Sequence, residues 1–252
     1  MKSVLVRNVK IGEGLPKVCV PILGESKEQI LDSARAIKEL DIDLVEWRAD
    51  WFEFVFDYKK VTEVLMELRD ILGDLPLLFT FRTLVEGGNR DISNEDYMAL
   101  NKKACDSGKI DMLDVQMFTG EALVQDLISY AHANNIIVVG SNHDFNGTPS
   151  KKQIVTRLQL MQHFEADIVK IAVMPKTRTD VFTLITATEE MVSKYAKVPV
   201  VAMSMSKLGV ISRVAGELFG SSITFAAAGQ ASAPGQIAAK DMKKMLETLS
   251  CN

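Results

Sequence analysis

The most unusual residue of this sequence is a lysine inside an apolar stretch. Lys170 lies in the segment Asp-Ile-Val-Lys-Ile-Ala-Val-Met-Pro, which has the composition of a buried β-strand. Burying a lysine is costly unless its charge is paired or removed. One interpretation is therefore a salt bridge to a buried carboxylate such as Asp114 or Glu46.

The second interpretation is a neutral amine that acts as a nucleophile. Burial and nearby cations both favour the neutral form of a lysine. The candidate cations are Arg48, Arg82 and Arg213. A neutral amine attacks a ketone and forms an imine, so Lys170 would support covalent catalysis on a keto substrate.

His143 is the candidate proton carrier among the three histidines of the chain. His132 and His163 fall in amphipathic helical segments and are predicted to be exposed. His143 lies in Gly-Ser-Asn-His-Asp-Phe, directly after an apolar run. It is either a loop histidine bonded to Asp144 or a general acid and base near neutral pH. Its place on the strand next to that of Lys170 favours the second interpretation.

Two further loops carry charged candidates. Glu86 precedes Gly87 and Gly88, which let the backbone bend closely around a ligand. The alternative for Glu86 is a solvated loop glutamate. Arg213 follows a later apolar run, and its planar guanidinium suits a carboxylate or a phosphate.

The last loop, 227–236, is rich in small residues and polar at its tip. It is either an ordinary strand–helix connection or a lid over a site. As a lid it would bring Ser232 and Gln236 to the hydroxyl groups of a ligand.

A regular alternation of apolar and amphipathic runs must position these residues. The starts of the apolar runs lie 23 to 34 residues apart, which suits a strand, a loop and a helix. The runs are Val18–Ile22, Asp43–Trp47, Leu77–Arg82, Asp111–Gln116, Ile136–Ser141, Asp167–Val173, Pro199–Met203 and Ser222–Ala226. Eight such units predict an α/β fold, a (β/α)8 TIM barrel formed by a single domain, 1–252.

Two details refine the fold prediction. A doubly wound sheet is the alternative, but the turn after the first run, Leu23–Ser26, has one glycine rather than a dinucleotide-binding set. Segment 1–16 is predicted to form a β-hairpin, from Ser3–Arg7 and Lys10–Gly14, that closes the N-terminal mouth of the barrel.

Helix starts are indicated between the apolar runs. Capping boxes are predicted at Ser26-x-x-Gln29, Ser93-x-x-Asp96 and Thr177-x-x-Asp180. Thr148-Pro149 predicts a further helix with proline just inside it.

Polar residues of one parity mark the ends of five consecutive predicted strands. Side chains alternate along a strand, and active sites of such barrels lie at the carboxyl ends of the strands. The residues are Glu46, Arg48, Thr80, Arg82, Asp114, Gln116, Ser141, His143 and Lys170. Their arginines, carboxylates, histidine and lysine are expected to converge on one mouth of the barrel.

Composition excludes several classes of protein. The 252 residues carry a net charge of −4, with 47% hydrophobic and 25% charged residues, which is typical of a globular protein. The charge argues against nucleic-acid binding, and the absence of a long apolar run argues against a membrane protein. Three distant cysteines and no signal-peptide pattern predict a cytoplasmic protein. No spacing typical of a metal site or of a nucleotide phosphate site is present.

These residues occur in motifs that resemble one family over effectively the whole chain. Each motif lies at a predicted strand end or in the loop that follows it. They include Glu46-Trp47-Arg48, Phe79-Thr80-Phe81-Arg82, Glu86-Gly87-Gly88, Ser141-Asn142-His143-Asp144-Phe145, Lys170-Ile171-Ala172-Val173-Met174-Pro175, Gly209-Val210-Ile211-Ser212-Arg213 and Ser232-Ala233-Pro234-Gly235-Gln236. The sequence thus resembles the type I 3-dehydroquinate dehydratases of the shikimate pathway.

The resemblance implies a reversible dehydration of 3-dehydroquinate to 3-dehydroshikimate, a step of chorismate and aromatic amino acid biosynthesis. It implies an imine on Lys170, with His143 as general acid and base and Glu86 assisting. It assigns substrate binding to Glu46, Arg48, Arg82, Arg213, Ser232 and Gln236. It also implies a cytoplasmic, cofactor-free and metal-free homodimer whose partner is a small-molecule substrate.

Four residues depart from the pattern of the family. Pro21 stands where some members have serine, and Gln116 where others have glutamate. Asn89 replaces a frequent glutamate, and Lys176 a usual glutamine. None removes a group assigned to the chemistry, although the loss of an interior charge at Gln116 is expected to alter the coupling to Asp114 and Lys170.

Two other functions fit the same residues. A class I aldolase cleaves carbon–carbon bonds through a lysine imine, but the arginine-rich mouth and the lack of a phosphate nest favour an unphosphorylated acid. A non-catalytic barrel that binds such an acid is the other alternative. The presence of Lys170, His143 and Glu86 together argues against it, because a pure binding site does not need a buried lysine.

Overall fold

The computed structural model describes residues 2–229 and 231–251. Met1, Gln230 and Asn252 lie outside the described residues. The predicted domain 1–252, hairpin segment 1–16 and last loop 227–236 are therefore described without them.

Eight parallel strands form a nearly closed barrel. The strands are β3 (Lys17–Ile22), β4 (Leu44–Arg48), β5 (Leu77–Thr80), β6 (Met112–Gln116), β7 (Ile137–Asp144), β8 (Ile168–Val173), β9 (Val200–Ser204) and β10 (Ile223–Phe225). Their order, β10-β3-β4-β5-β6-β7-β8-β9, follows the chain around the barrel, and a bridge between Val200 and Ser221 brings the two ends together. All eight match the predicted runs, so the barrel is confirmed and the doubly wound sheet is wrong.

Helices cover the outside of the barrel. They are α1 (Lys27–Lys38), α2 (Tyr58–Leu72), α3 (Asn94–Asp106), α4 (Glu121–Ala133), α5 (Lys151–His163), α6 (Arg178–Glu190), α7 (Ile211–Val214), α8 (Gly216–Phe219) and α9 (Ala239–Thr248). In the described part of the chain, none of the helices has the length and apolarity needed to cross a lipid bilayer.

The predicted helix caps are largely present. Complete capping boxes begin α1 and α6, at Ser26 with Gln29 and at Thr177 with Asp180. Ser93 begins α3, and its hydroxyl accepts the N–H of Asp96.

The predicted start of α5 is wrong. Pro149 lies before the helix rather than inside it, because Ser150 is the N-cap residue. Ser150 forms a capping box with Gln153, and this side chain–backbone exchange sets the first turn at Lys151.

Alternate residues of the strands face two separate apolar cores. One parity packs outward against the helices, as Trp47 and Phe79 do. The other parity fills the barrel interior near the amino ends of the strands, where Leu44 and Ile168 meet Val6 and Ile11. These last two residues belong to the antiparallel hairpin β1 (Val4–Val6) and β2 (Val9–Ile11).

The hairpin confirms the prediction that the amino-terminal mouth is closed. Apolar side chains of the described residues fill the interior at that end.

Candidate functional site

The nine residues assigned to chemistry or binding line one cavity at the carboxyl ends of the strands. The cavity has a volume of about 460 Å³. Its polar wall consists of Glu46, Arg48, Arg82, Glu86, His143, Lys170, Arg213, Ser232 and Gln236. Five of these nine, Glu46, Arg48, Arg82, His143 and Lys170, were predicted from the parity of strand residues. Thr80, Asp114, Gln116 and Ser141 have the same parity but do not line this cavity.

Lys170 projects from the middle of β8 and lies between two carboxylates. Its Nζ is 3.5 Å from Asp114 Oδ2 and 3.7 Å from Glu46 Oε1. It also lies 4.3 Å from the centre of the Phe225 ring. The geometry is that of the first interpretation, an ion-paired lysine, although both distances are long for hydrogen bonds.

Asp114 has several other partners, which explains why its distance to Lys170 Nζ is long. Arg82 Nη2 donates to its Oδ2 at 2.8 Å, and the Ser141 hydroxyl donates to its Oδ1 at 2.6 Å. Burial by itself raises the pKa of Asp114, but Arg82, Lys170 and the Ser141 bond outweigh burial and lower it. Asp114 is therefore a stable anion whose charge is largely balanced by Arg82.

His143 is paired with Glu86 rather than with Asp144. Its Nδ1 lies 2.9 Å from Glu86 Oε2, and its backbone N–H donates to the same oxygen at 3.0 Å. Asp144 instead accepts from Arg157. An ionised Glu86 keeps the proton on Nδ1, so Nε2 is the basic nitrogen of the ring.

Glu86 is a buried residue, so the alternative of a solvated loop glutamate is wrong. It is 7% exposed and ends a short 3₁₀ helix, Leu84–Glu86. The two glycines that follow are required by close contacts. A Cβ at Gly87 would lie 2.2 Å from the Phe145 ring, and one at Gly88 would lie 1.8 Å from the carbonyl oxygen of Arg82.

Burial and charge set the protonation of this pair. Burial lowers the pKa of His143 well below its ordinary value, and the cations Arg82, Lys170 and Arg48 act in the same direction. Burial raises the pKa of Glu86, with Arg82 opposing it. At neutral pH the imidazole is therefore neutral and ready to accept a proton.

Arg48 is held by a residue that sequence reasoning missed. Asp50 is fully buried and accepts two bonds from the Arg48 guanidinium, each of 2.7 Å. It also accepts the backbone N–H groups of Arg82 and Asn89. The sequence does indicate Asp50, because it follows Arg48 by two residues, just as Arg48 follows Glu46.

Arg213 is a buried cation without a counter-charge. It is 1% exposed, and its guanidinium donates to the carbonyl oxygens of Phe225 at 3.4 Å and Pro234 at 3.0 Å. Among the described residues no carboxylate pairs with it, and its Nε is buried without a partner. Desolvation lowers the pKa of Arg213 to about 10, so it is charged at neutral pH. An anionic ligand would supply the missing partner.

The last loop covers the cavity. Gln236 Oε1 accepts the Ser232 N–H at 2.9 Å, and Gln236 Nε2 donates to the Ser232 hydroxyl at 3.0 Å. The loop is fastened by a bond from Ser206 N–H to Pro234 O, and Gly235 packs directly on the carbonyl of Ser206. Opening and closing of the loop stay a prediction.

The four departures from the family pattern lie away from the cavity wall. Pro21, Asn89, Gln116 and Lys176 are not among its lining residues. Gln116 instead exchanges two hydrogen bonds of 2.8 Å with Thr83 and so fixes the loop after β5.

The chemistry available in the cavity is nucleophilic and acid–base. It offers an amine, an imidazole paired with a carboxylate, and an unpaired arginine. In the part of the chain that the structure describes, no group of three or more His, Cys, Asp or Glu side chains is placed to hold a metal ion. The wall suits a small anion that also carries a carbonyl group.

Comparison with known families gives a match over most of the chain. The family described as type I 3-dehydroquinase matches residues 18–252. A 3-dehydroquinate dehydratase of Salmonella agona is 49% identical over 249 residues, which cover 99% of each protein.

Solved structures agree with this match. The type I 3-dehydroquinate dehydratase of Clostridium difficile, crystallised with covalently modified comenic acid, has a TM-score of 0.96 and 49% identity, covering 98% of both chains. The 3-dehydroquinate dehydratase of Enterococcus faecalis has a TM-score of 0.93 and 45% identity, covering 98% of this chain and 99% of that one.

The lowered pKa of His143 predicts a loss of stability in acid. The unfolded chain takes up a proton on this residue near pH 6.5, and the folded chain resists it, so stability falls as the pH drops below 6.5. The wild type should therefore be measurably less stable at pH 5.5 than at pH 7.5. Urea unfolding at both pH values should show a smaller acid loss in His143→Gln than in the wild type. An equal loss in both proteins would contradict the burial of a neutral imidazole.

Proposed function

Because the chain belongs to the type I 3-dehydroquinase family, we propose that it dehydrates 3-dehydroquinate through an imine on Lys170, with His143 moving the protons. The enzyme is a hydro-lyase, a 3-dehydroquinate dehydratase of the shikimate pathway. The observation that carries the proposed mechanism is the placement of Lys170 and the Glu86–His143 pair on the wall of one cavity. β7 and β8 are neighbours, with Ser141 opposite Lys170 in the register.

Arg213 accounts for recognition of an acid. The substrate has a carboxylate, a ring ketone and several hydroxyl groups. Its carboxylate would form the missing ion pair with the buried guanidinium, as a forked pair of charge-assisted bonds. Glu46, Arg48 and Arg82 then hold the ring hydroxyls, and Ser232 and Gln236 close the cavity from above.

The first chemical step is imine formation. Lys170 gives a proton to His143, and the neutral amine attacks the ketone carbon, so that a carbon–nitrogen bond forms as the carbonyl π bond breaks. His143 passes this proton to the oxygen, takes a second proton from the nitrogen and gives it to the same oxygen, which leaves as water while the protonated imine forms.

The second step is the elimination. The protonated imine withdraws electrons and acidifies the neighbouring C–H, whose proton passes to His143 Nε2. The resulting enamine expels the hydroxyl group, and His143 returns its proton to the departing oxygen, so water leaves. A water molecule then hydrolyses the product imine and frees Lys170.

Glu86 supports His143 through both proton transfers. Its Oε2 faces Nδ1, so an ionised Glu86 stabilises the imidazolium that forms when Nε2 accepts a proton. Burial of the pair keeps water from competing for the proton.

A relative supports covalent chemistry in this family. The Clostridium difficile enzyme was crystallised with covalently modified comenic acid. A covalent modification in a protein 49% identical to this chain is in keeping with a nucleophile in the cavity. The family match, with its whole-chain coverage, also decides against the aldolase and the purely binding barrel.

The setting of the enzyme is proposed on the same basis. We expect a cytoplasmic homodimer that needs no cofactor. Phe182 and Leu218, on α6 and α8, are 65% and 72% exposed, so they do not belong to the outer core and are available for an interface.

Substitutions of Lys170 and His143 should impair catalysis at different steps. Lys170→Ala should lower kcat roughly a thousandfold or more, because no imine forms. His143→Ala should lower kcat roughly 100- to 10,000-fold but accumulate a covalent adduct, visible as added mass on the intact protein. His163→Ala, an exposed histidine of α5, is the matched control and should retain activity. Normal turnover by His143→Ala would contradict its acid–base role.

Removal of the buried guanidinium should weaken binding. Arg213→Ala should raise KM roughly 10- to 100-fold, because a charge-assisted contact with the substrate carboxylate is lost. Arg35→Ala removes an exposed arginine from α1 and should leave KM unchanged. Steady-state kinetics on both variants checks the assignment, and an unchanged KM in Arg213→Ala would contradict it.

A further inference from the structure

A buried amide holds Glu86 from the side opposite the histidine. Asn142 lies in β7 between Ser141 and His143, and its alternate parity turns it away from the cavity. It is 8% exposed, and its Nδ2 donates to Glu86 Oε1 at 3.1 Å. Glu86 Oε2 meets His143, so the two carboxylate oxygens have separate partners.

An arginine fixes the orientation of this amide. Arg157, on α5, donates from Nη1 to Asn142 Oδ1 at 3.0 Å. A guanidinium can only donate hydrogen bonds, so the amide oxygen must face Arg157 and the NH₂ group must face Glu86. Arg157 also donates to Asp144 at 3.2 Å, which keeps its head group in place.

We propose that Asn142, oriented by Arg157, is a positioning residue that keeps the Glu86 carboxylate against the His143 ring during proton transfer. The role rests on the proposed function of His143. The four residues form a chain from the outer face of the barrel to the imidazole, with contacts of 3.0, 3.1 and 2.9 Å.

The arrangement has a consequence for pH dependence. The Glu86–His143 pair shares one site for an added proton and titrates as a unit. The charged groups around it are Arg48, Arg82, Asp114, Asp144, Arg157 and Lys170. The Asn142 donor stabilises the unprotonated pair, and the charge of Arg157 acts in the same direction. Loss of the Asn142 donor or of the Arg157 charge raises the proton affinity of the pair. The acid limb of the kcat profile, where kcat falls as the pH decreases, then moves to higher pH.

The test is the pH profile of kcat and KM for Asn142→Ala, Asn142→Asp and Arg157→Met. Asn142→Ala should lower kcat roughly 10-fold at neutral pH and move the acid limb up by about half a pH unit or more. Asn142→Asp keeps the shape but replaces the donor by a carboxylate, so its shift should be larger. Arg157→Met should shift in the same direction by less. KM should stay within roughly threefold of the wild type, because Asn142 does not line the cavity.

Two comparisons separate positioning from a general structural effect. Lys152→Met removes a charge from the exposed face of the same helix and should leave the profile unchanged. Glu86→Gln removes the anion itself and should move the acid limb to lower pH, opposite to Asn142→Ala.

The outcomes are distinguishable. An equal loss of kcat at every pH in Asn142→Ala, or a rise in KM without a shift of the limb, would overturn the positioning role. If Asn142→Ala does not fold, the pH profile of Arg157→Met becomes the test. An acid limb at the wild-type pH in that variant would overturn the positioning role of Asn142. Absence of turnover in the wild-type chain would contradict the proposed function itself.

Discussion

The buried negative charge of Asp114 is the constraint on which the site depends. It connects β6 with three other strands, through Arg82 just after β5, Ser141 on β7 and Lys170 on β8. A carboxylate in the barrel interior is stable only if cations and donors surround it. Burial is the main cause of the lowered pKa of His143, and Arg82 and Lys170, the cations that stabilise Asp114, lower it further. The charge of Asp114 therefore links the electrostatic environment of the Lys170 amine to that of the His143 imidazole.

Charge balance supports the proposal that the cavity binds an acid. Arg48 is paired with Asp50, and Arg82 with Asp114 and Glu86. Arg213 is the exception among these three arginines, because no described carboxylate pairs with it. In the proposed mechanism a substrate carboxylate would complete the balance, with the ketone toward Lys170. Lys170 is held by a strand, β8, whereas Arg213 is held by α7, which follows β9.

Strand periodicity was enough to predict most of this arrangement. Alternation places Glu46, Arg82, Asp114 and Lys170 in the interior whatever the neighbouring elements do. Asp50 was missed because it lies in a 3₁₀ turn, Ala49–Trp51, beyond the strand, where alternation was not followed. Asn142 has the opposite parity, and its contact with Glu86 depends on how the loop after β5 folds back. Sequence spacing does not encode that fold. The start of α5, in contrast, was predictable, because Ser150-x-x-Gln153 has the same pattern as Ser26-x-x-Gln29.

The most direct test of the account is borohydride reduction of the wild-type enzyme in the presence of 3-dehydroquinate, followed by digestion and mass spectrometry. An imine at Lys170 predicts a stable added mass on the peptide that contains this residue, and none on the other lysines. A reduced adduct on a different lysine, or no adduct with an enzyme that turns over its substrate, would contradict the imine at Lys170.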